Sequence, residues 1–364
     1  MLREYIQFSN GKPLESQIDT NGDVNLITLD SVDISGKLKH IHKKLKKSNG
    51  SLSPGDIVTV LSTVVADLNQ GNLLGMSAII PSDGNQYVLN QRMGRIRVVN
   101  GSLRSDFLRL CLNASRKHFA ERAQGTSQKH IYARDFFSLP IYIPPLEEQK
   151  AIAEVLSDVD ELIAQTERLI AKKEAIKLGV MQELMRPKDG WIKTKLSKLL
   201  SFEQPTKYLV SNSVYSNNYE TPVLTAGKTF ILGYTDETDN QFNELPVIIF
   251  DDFTTSSRLV DFPFKVKSSA IKFLKPLNAE VNLQFVYCIL SLLRFEVKDH
   301  KRHWISEYRN LSVYVPRIDE QNRIATIVED LEMEIKIHRS KLDKIITLKD
   351  GISSQLLSGK TRLV

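Results

Sequence analysis

Two long stretches of the chain carry apolar residues at helical spacing. In the first, Ile152, Val155, Leu156, Val159, Leu162, Ile163, Leu169, Ile170, Ile176, Val180 and Leu184 fall along one side of a 3.6-residue helix. In the second, Ile324, Ile327, Val328, Leu331, Ile335, Leu342, Ile345, Leu348, Ile352 and Leu356 do the same. Each stripe predicts a helix of about 40 residues, roughly 60 Å long. Ahead of the first, Leu139, Ile141 and Ile143 alternate with Pro140 and Tyr142, which is strand period and predicts a short strand. Pro144 and Pro145 end it, because neither has an N–H for a ladder. Glu147 and Glu148 fall in the first helical turn, where carboxylates complement the helix dipole.

The two stretches are one phrase written twice. "LPIYIPPLEEQKAIAEVL" (139–156) returns as "LSVYVPRIDEQNRIATIV" (311–328) at an offset of 172 residues. Pro144 aligns with Pro316, Glu148 with Glu320, Gln149 with Gln321, Ile152 with Ile324 and Ala153 with Ala325. The alignment stays gapless through Gly179 and Gly351 to Leu184 and Leu356, so the chain is an internal duplication. A long helix with one apolar stripe is not stable alone in water. The two helices are therefore expected to pack on each other as a spacer. Ile152, Leu156, Val159, Ile163 and Ile170 are the seam candidates on one, and Ile324, Leu331, Ile335, Leu342 and Ile345 on the other. The stripe alone does not say whether they run parallel or antiparallel. Thr166 and His338 interrupt the stripes at equivalent places and are read as register-setting polar positions.

A separate globular segment precedes each copy. This divides the chain into a first head (1–138), a first repeated region with its helix (139–189), a second head (190–310) and a second repeated region (311–364). Both heads read as short strands broken by turns, such as "GDIVTVLS" (55–62), "GRIRVV" (94–99) and "LPVIIF" (245–250). Their beginnings echo, "LREYIQF" against "LSKLLSF", but "GWIKTK" (190–195) leads in only the second, so the N-terminus is expected to be slightly shortened. Beyond that point the heads diverge. Like spacers carrying unlike heads suit a bipartite reader.

Composition adds bounds. The 364 residues suit two domains, and 41% hydrophobic with 25% charged residues allows ordinary cores. A net charge of +6 hints at a polyanionic partner. Cys111 and Cys288 are two isolated thiols, neither a disulfide framework nor a zinc site. The start has no signal-peptide core, and the longest apolar run, "FVYCILSLL" (285–293), is too short to cross a bilayer. A soluble cytoplasmic protein is expected.

Candidate chemistry points to nucleic acid rather than catalysis. "KLKHIHKKLKK" (37–47) has six lysines and two histidines, suited to phosphates or to a solvated face. "DHKRHWIS" (299–306) combines Lys301, Arg302, His303 and Trp304, which can span phosphate and base edge. Thr126, Ser127, Gln128 and Lys129 put hydroxyls, an amide and a cation in one loop. Lys228 and Thr229, with Tyr208 and Arg92, complete the DNA-contact candidates. "AGKT" (226–229) followed by "IIFDD" (248–252) mimics a nucleotide site, but the first glycine of the phosphate loop would stand at Pro222. Asp251 and Asp252 lack the lysine partner of a nuclease site, no His/Cys cluster has metal spacing, and no methyltransferase tetrapeptide or cofactor loop is present. No catalytic residue and no metal ligand is assigned.

The strand, the prolines, "LEEQ" and the long helix, each time behind a variable head, resemble the specificity subunit of type I restriction–modification enzymes over essentially the whole chain. The resemblance implies an α+β fold: two mixed α/β target-recognition domains separated by two long conserved helices packed as an antiparallel coiled coil, with pseudo-twofold duplication. Each domain would read one half of a split site in double-stranded DNA. The implied partners are two modification and two restriction subunits, with no membrane. Those partners would use S-adenosylmethionine, ATP and Mg, and methylate N6 of a flipped adenine, while this chain binds no cofactor. "FEQPTKYLV", "PVLTAGKTFILGYTDET", "VIIFDDFTT" and "DHKRHWIS" resemble a target domain that goes with a GAA half-site. "GTSQK" (125–129) resembles a family loop in the first domain. One alternative is the specificity component of a related system with combined methylase and nuclease activity, which the missing tetrapeptide disfavours. Another is a pure coiled-coil interaction protein, which leaves two unlike basic heads unexplained.

Overall fold

A computed structural model of the chain describes residues 2–19, 21–47, 52–63, 73–225, 229–293 and 303–363. Two compact units result, Met1–Arg168 with Ser340–Val364, and Leu169–Arg339. In the first unit, β1 (Ile6–Asn10), β2 (Val24–Ile27), β3 (Lys44–Leu45), β4 (Ile57–Val60), β5 (Ser77–Ile79), β6 (Gln86–Leu89) and β7 (Met93–Val98) precede helix α1 (Ser105–Ala114). An antiparallel sheet runs β1-β7-β4-β5, with Ile6 opposite Val98 and Ile57 opposite Ile96. In a smaller sheet β2 lies antiparallel to β3 and parallel to β6. Ile57 and Ile96 meet Phe107 and Leu108 of α1 in one core, joined by Ile152 and Leu156 of the long helix α2 (Leu146–Leu184) and by Leu356.

The second unit repeats this topology with different residues. Its strands are β8 (Ile192–Lys195), β9 (Leu200–Glu203), β10 (Thr221–Leu224), β11 (Ile231–Thr235), β12 (Val247–Asp251), β13 (Ser257–Val260) and β14 (Ile271–Pro276), then α3 (Leu283–Leu292), β15 (Ser312–Val315) and the long helix α4 (Ile318–Leu357). The antiparallel sheet runs β9-β14-β12-β13, again first strand beside last, then the middle pair. β10 lies antiparallel to β11 and parallel to Lys265–Val266, as β2 does to its neighbours. Ile248, Phe250 and Leu274 meet Phe285 and Val286 of α3 in the core.

The repeated phrase has a mechanical reason, the same in each unit. The Gln149 side chain is fully buried and fully bonded. Its Oε1 accepts from Arg104 N, at the N-cap of α1, and its Nε2 donates to Ser102 O and Pro144 O at 2.7–2.8 Å. Gln321 does the same: Oε1 accepts from Asn282 N, at the N-cap of α3, and Nε2 donates to Glu280 O and Pro316 O. One amide thus ties the start of a long helix to the proline segment before it and to helix α1 or α3 of the head. The preceding acid is also used twice. Glu148 takes a two-pronged contact from Arg362, Nε at 2.7 Å and Nη2 at 2.6 Å, which holds its carboxyl below the usual range. Glu320 accepts from Trp191 Nε1 at 3.3 Å and meets Lys188 at 3.5 Å.

Within each unit the long-helix segments run in opposite directions. In the second unit Lys173 meets Glu334, and Lys177, one turn on, meets Glu332; Glu174 also pairs with Arg339. In the first unit Glu148 meets Arg362 while Asp160, further along α2, meets Lys349. The seam steps by three and four residues: Ile152, Leu156, Val159, Ile163 and Thr166 in the first unit, Ile170 in the second, each buried or half-buried. On α4 it runs Ile324, Val328, Leu331, Ile335 and His338, then Leu342 and Ile345. This is a 3.5-residue period. Thr166 satisfies its hydroxyl on Leu162 O at 2.8 Å.

Two expectations need correction. The stripe is wider than the seam: Val155, Leu162, Leu169, Ile176, Leu348 and Ile352 are exposed, because two helices cover only a narrow strip of each other. Residues 139–143 form no strand. Their counterpart β15 pairs with β8, Ile192 opposite Val315 and Lys195 opposite Ser312. No described residue of the first unit supplies that ladder, and alternation alone does not make a strand.

Gln149→Ala should strip three hydrogen bonds and leave buried backbone groups unpaired, costing about 2–4 kcal/mol. Gln321→Ala should cost the same. Denaturant midpoints will measure the loss, and hydrogen exchange should open first at the start of α1 for one variant and of α3 for the other.

Candidate nucleic-acid interface

In the first unit Thr126, Ser127, Gln128 and Lys129 form the tip of a hairpin. Gln124 and His130 close it with two backbone hydrogen bonds at 2.9 and 2.8 Å. Gly125 has φ +112, and a Cβ there would lie 2.0 Å from the Gln128 carbonyl oxygen, so only glycine fits the turn. The hairpin base pairs Ser62 with His130 and Thr63 with Lys129. Thr126 and Ser127 are exposed; Gln128 and Lys129 are half-buried. Leu61 donates its N–H to Arg92 O at 3.0 Å and accepts from Ile131 N at 2.9 Å. The turn carrying Arg92 and the hairpin are thereby tied to one strand end, bringing five of the candidates together.

The basic stretch 37–47 is a ribbon held by its apolar members. Leu45 is buried and Leu38 packs on a core, while Lys37, Lys39, His40, His42, Lys43, Lys46 and Lys47 are exposed. Among the described residues only Lys43, with Asp30 at 3.5 Å, and Lys46, with Asp19 at 3.1 Å, form ion pairs there. The stretch presents positive charge to solvent, a form that suits phosphate oxygens.

The second unit changes the list. Lys228, Lys301 and Arg302 lie outside the described residues. Thr229 is exposed, in the turn after β10. Trp304 is 1% and His303 2% exposed, so neither offers its ring to a base. The cause is Asp252. Its carbonyl accepts from His303 N at 3.0 Å and its Oδ1 from Trp304 N at 2.9 Å, starting the short helix His303–Ser306 with the indole turned onto Phe250. Asp252 itself is buried against the Lys272 ammonium at 3.0 Å, which also donates to Gln204 Oε1. Tyr208 is likewise a core residue, 7% exposed, its ring against Phe242 and Phe273 and its hydroxyl on Glu203 at 3.0 Å. An aromatic beside lysines satisfies a contact pattern and a packing pattern equally well; only the neighbours separate them. The network Gln204–Lys272–Asp252 was missed. Its one signal was a lysine inside the apolar strand "IKFLK".

The acids resembling a nuclease or nucleotide site are structural. Asp251 Oδ1 accepts from Phe253 N and Thr254 N in a tight turn that places Thr255 at φ +60. Among the described residues no group of three His, Cys, Asp or Glu side chains could hold a metal ion, and no helix is long and apolar enough to cross a membrane. Burial pushes the Cys111 and Cys288 thiols up to about 12, which keeps both unreactive.

The chain is similar to known proteins. Residues 3–175 match the family model described as the type I restriction modification DNA specificity domain. The chain is 43% identical over 166 residues to the Escherichia coli type I restriction enzyme EcoR124I/EcoR124II specificity subunit, covering 44% of this chain but only 39% of that protein's length. It is 22% identical over 324 residues to the MjaVIII specificity subunit of Methanocaldococcus jannaschii, covering 77% and 76% of the two chains. The crystal structure of the S subunit of a type I restriction-modification system from M. genitalium superposes with a TM-score of 0.63 at 17% identity, over 98% of this chain and 94% of that one. This last likeness shows the fold.

Trp304→Ala should cost about 3–5 kcal/mol of stability by emptying a core site. Asp252→Asn should cost a similar amount, about 3–5 kcal/mol, because it strands the buried Lys272 charge. Thr126→Ala and Lys129→Ala should stay within about 0.5 kcal/mol of the parent. Urea unfolding of the four variants checks the division between interior and surface.

Proposed function

From the match of residues 3–175 to the type I restriction modification DNA specificity domain, we propose that the chain belongs to that family and that the whole chain is a non-catalytic DNA-reading subunit. Each unit reads one half of an asymmetric, bipartite site in double-stranded DNA. One observation carries this: two units repeat one strand order, and each is bolted by the same buried glutamine to a long helix, while their exposed loops share no sequence. A common frame with unlike surfaces is what two independent half-site readers need. In the first unit the hairpin tip, with Arg92 beside it, supplies base contacts and the ribbon 37–47 phosphate contacts. In the second, Thr229 with Lys228, Lys301 and Arg302 supplies the contacts, and the half-site is GAA.

The paired helices form an antiparallel coiled coil between duplicated halves and set the distance between the readers. Val155, Leu162, Leu169 and Ile176 recur every seven residues and remain 38–46% exposed on α2. That apolar row is suited to helices of a modification subunit. Two such subunits dock here and methylate adenine N6 with S-adenosylmethionine; two restriction subunits add ATP- and Mg-dependent chemistry. The chain works in the cytoplasm and holds no cofactor of its own.

Methylome sequencing of a host with and without the chain gives the site directly. Exchanging residues 190–310 for another family member's head should change one half of the methylated sequence and preserve the other; loss of both halves together would overturn the two-reader assignment. Inserting seven residues after Lys172 and after Ile337 keeps the 3.5-residue seam. It lengthens each helix by about 10 Å at 1.5 Å per residue. The unspecified spacer should then grow by about three base pairs at 3.4 Å each. An active variant with an unchanged spacer would remove the helices as the ruler.

A further inference from the structure

Both units build the same corner at the end of a central strand. In the first, Leu61, just past β4, donates its N–H to Arg92 O at 3.0 Å and accepts from Ile131 N at 2.9 Å. In the second, Asp252, just past β12, donates to Ala270 O at 3.0 Å and accepts from His303 N at 3.0 Å. The two corners correspond residue for residue. Arg92 directly precedes β7 and Ala270 directly precedes β14, while Ile131 and His303 stand at the offset of the duplication, 172 residues. The chain leaving the first corner, Ser62 and Thr63, pairs with His130 and Lys129 and carries the 124–130 hairpin. The chain leaving the second corner is Phe253 and Thr254.

Phe253 is held outward by its neighbour but one. Asp251 N donates to Ser256 O at 2.8 Å, and its carbonyl accepts from Thr255 N at 2.9 Å. Its Oδ1 accepts from Phe253 N at 2.8 Å and Thr254 N at 3.1 Å. The turn is tight enough to hold Thr255, a β-branched residue, at φ +60. Such a conformation is costly and persists only where the surroundings impose it. Phe253 is 43% exposed, and among the described residues no other phenylalanine stands exposed. A phenyl ring offers a base edge no hydrogen bond, and the apolar group it can meet in the major groove is the 5-methyl of thymine. A ring wedged between base steps stacks on both faces, whereas more than half of Phe253 is already covered.

We propose that Phe253 is a specificity-determining residue whose ring packs on a thymine methyl of the half-site read by the second unit. The inference rests on the reading of that unit as a half-site reader. Phe253 takes the place in the frame that the hairpin takes in the first unit, and the Asp251 turn fixes its approach to the base.

The full chain, assembled with its modification subunits, is titrated with duplexes carrying its methylated site. Each thymine in the half assigned to residues 190–310 by head exchange is replaced in turn by uracil, which lacks only the methyl. At one position uracil should weaken the parent about fourfold, the worth of one buried methyl group. Phe253→Ala should weaken the thymine duplex by about the same factor and bind thymine and uracil duplexes alike. Phe253→Leu, which keeps an apolar cap, should retain the preference. If Phe253→Ala lowers the urea midpoint, Phe253→Gln, of similar length but polar, should still abolish it. Uracil in the other half should act equally on parent and variants. A parent indifferent to uracil throughout the second half, or a preference that survives loss of the ring, would overturn the contact and leave half-site reading intact. A parent indifferent to the whole sequence of that half would overturn the reading and the contact with it.

Discussion

Gln149 and Gln321 are buried amides with every hydrogen bond made, and the architecture of each unit hangs on them. Each binds three backbone segments: the N-cap of α1 or α3, the loop before that helix, and the proline turn that launches a long helix. Substituting a shorter or apolar side chain leaves several backbone groups dry and unpaired, a penalty larger than any single surface contact. This explains why the sequence repeats around these positions while the heads vary. A head can change every exposed loop provided it delivers a helix N-terminus to the same amide.

The same logic sorts the candidate contact residues. Side chains that hold the heads together are buried and bonded internally: Trp304 on Phe250, Tyr208 on Glu203, Asp252 on Lys272. Those free to meet another molecule stand on turns whose backbone is closed locally, such as the 124–130 hairpin with its obligatory Gly125. In the proposed reader, specificity can thus be rewritten on the turns without disturbing the interior. The buried Asp252–Lys272 pair fixes the start of the His303–Ser306 helix by accepting from the N–H groups of His303 and Trp304.

The long helices combine a dry seam with an exposed row. Their seam is narrow because two cylinders touch along one line, and cross-helix ion pairs such as Lys173–Glu334 and Asp160–Lys349 flank it. Ion pairs of this kind contribute direction and register more than stability. The remaining apolar positions lie outside that line.

Local periodicity was enough to place both long helices, with acids in their first turns, and the duplicated phrase, since a helix depends on neighbours three and four residues away. It also pointed to the short strands Met93–Val98 and Val247–Asp251 through "GRIRVV" (94–99) and "LPVIIF" (245–250). Long-range partners decided the rest. Residues 139–143 alternate like β15 but form no strand, because a strand exists only with a ladder beside it. An apolar stripe reads alike in either direction, so the opposed run of α2 and α4 rests on Lys173 meeting Glu334 and Lys177 meeting Glu332. The shared strand order of two heads with unlike sequences was invisible for the same reason: many side-chain sets fill one core, and sheet order is set by pairs distant in the chain. Trp304 and Tyr208 read as contacts in a one-dimensional pattern, and only the tertiary structure, by placing Phe250 and Phe242 against them, turned both inward.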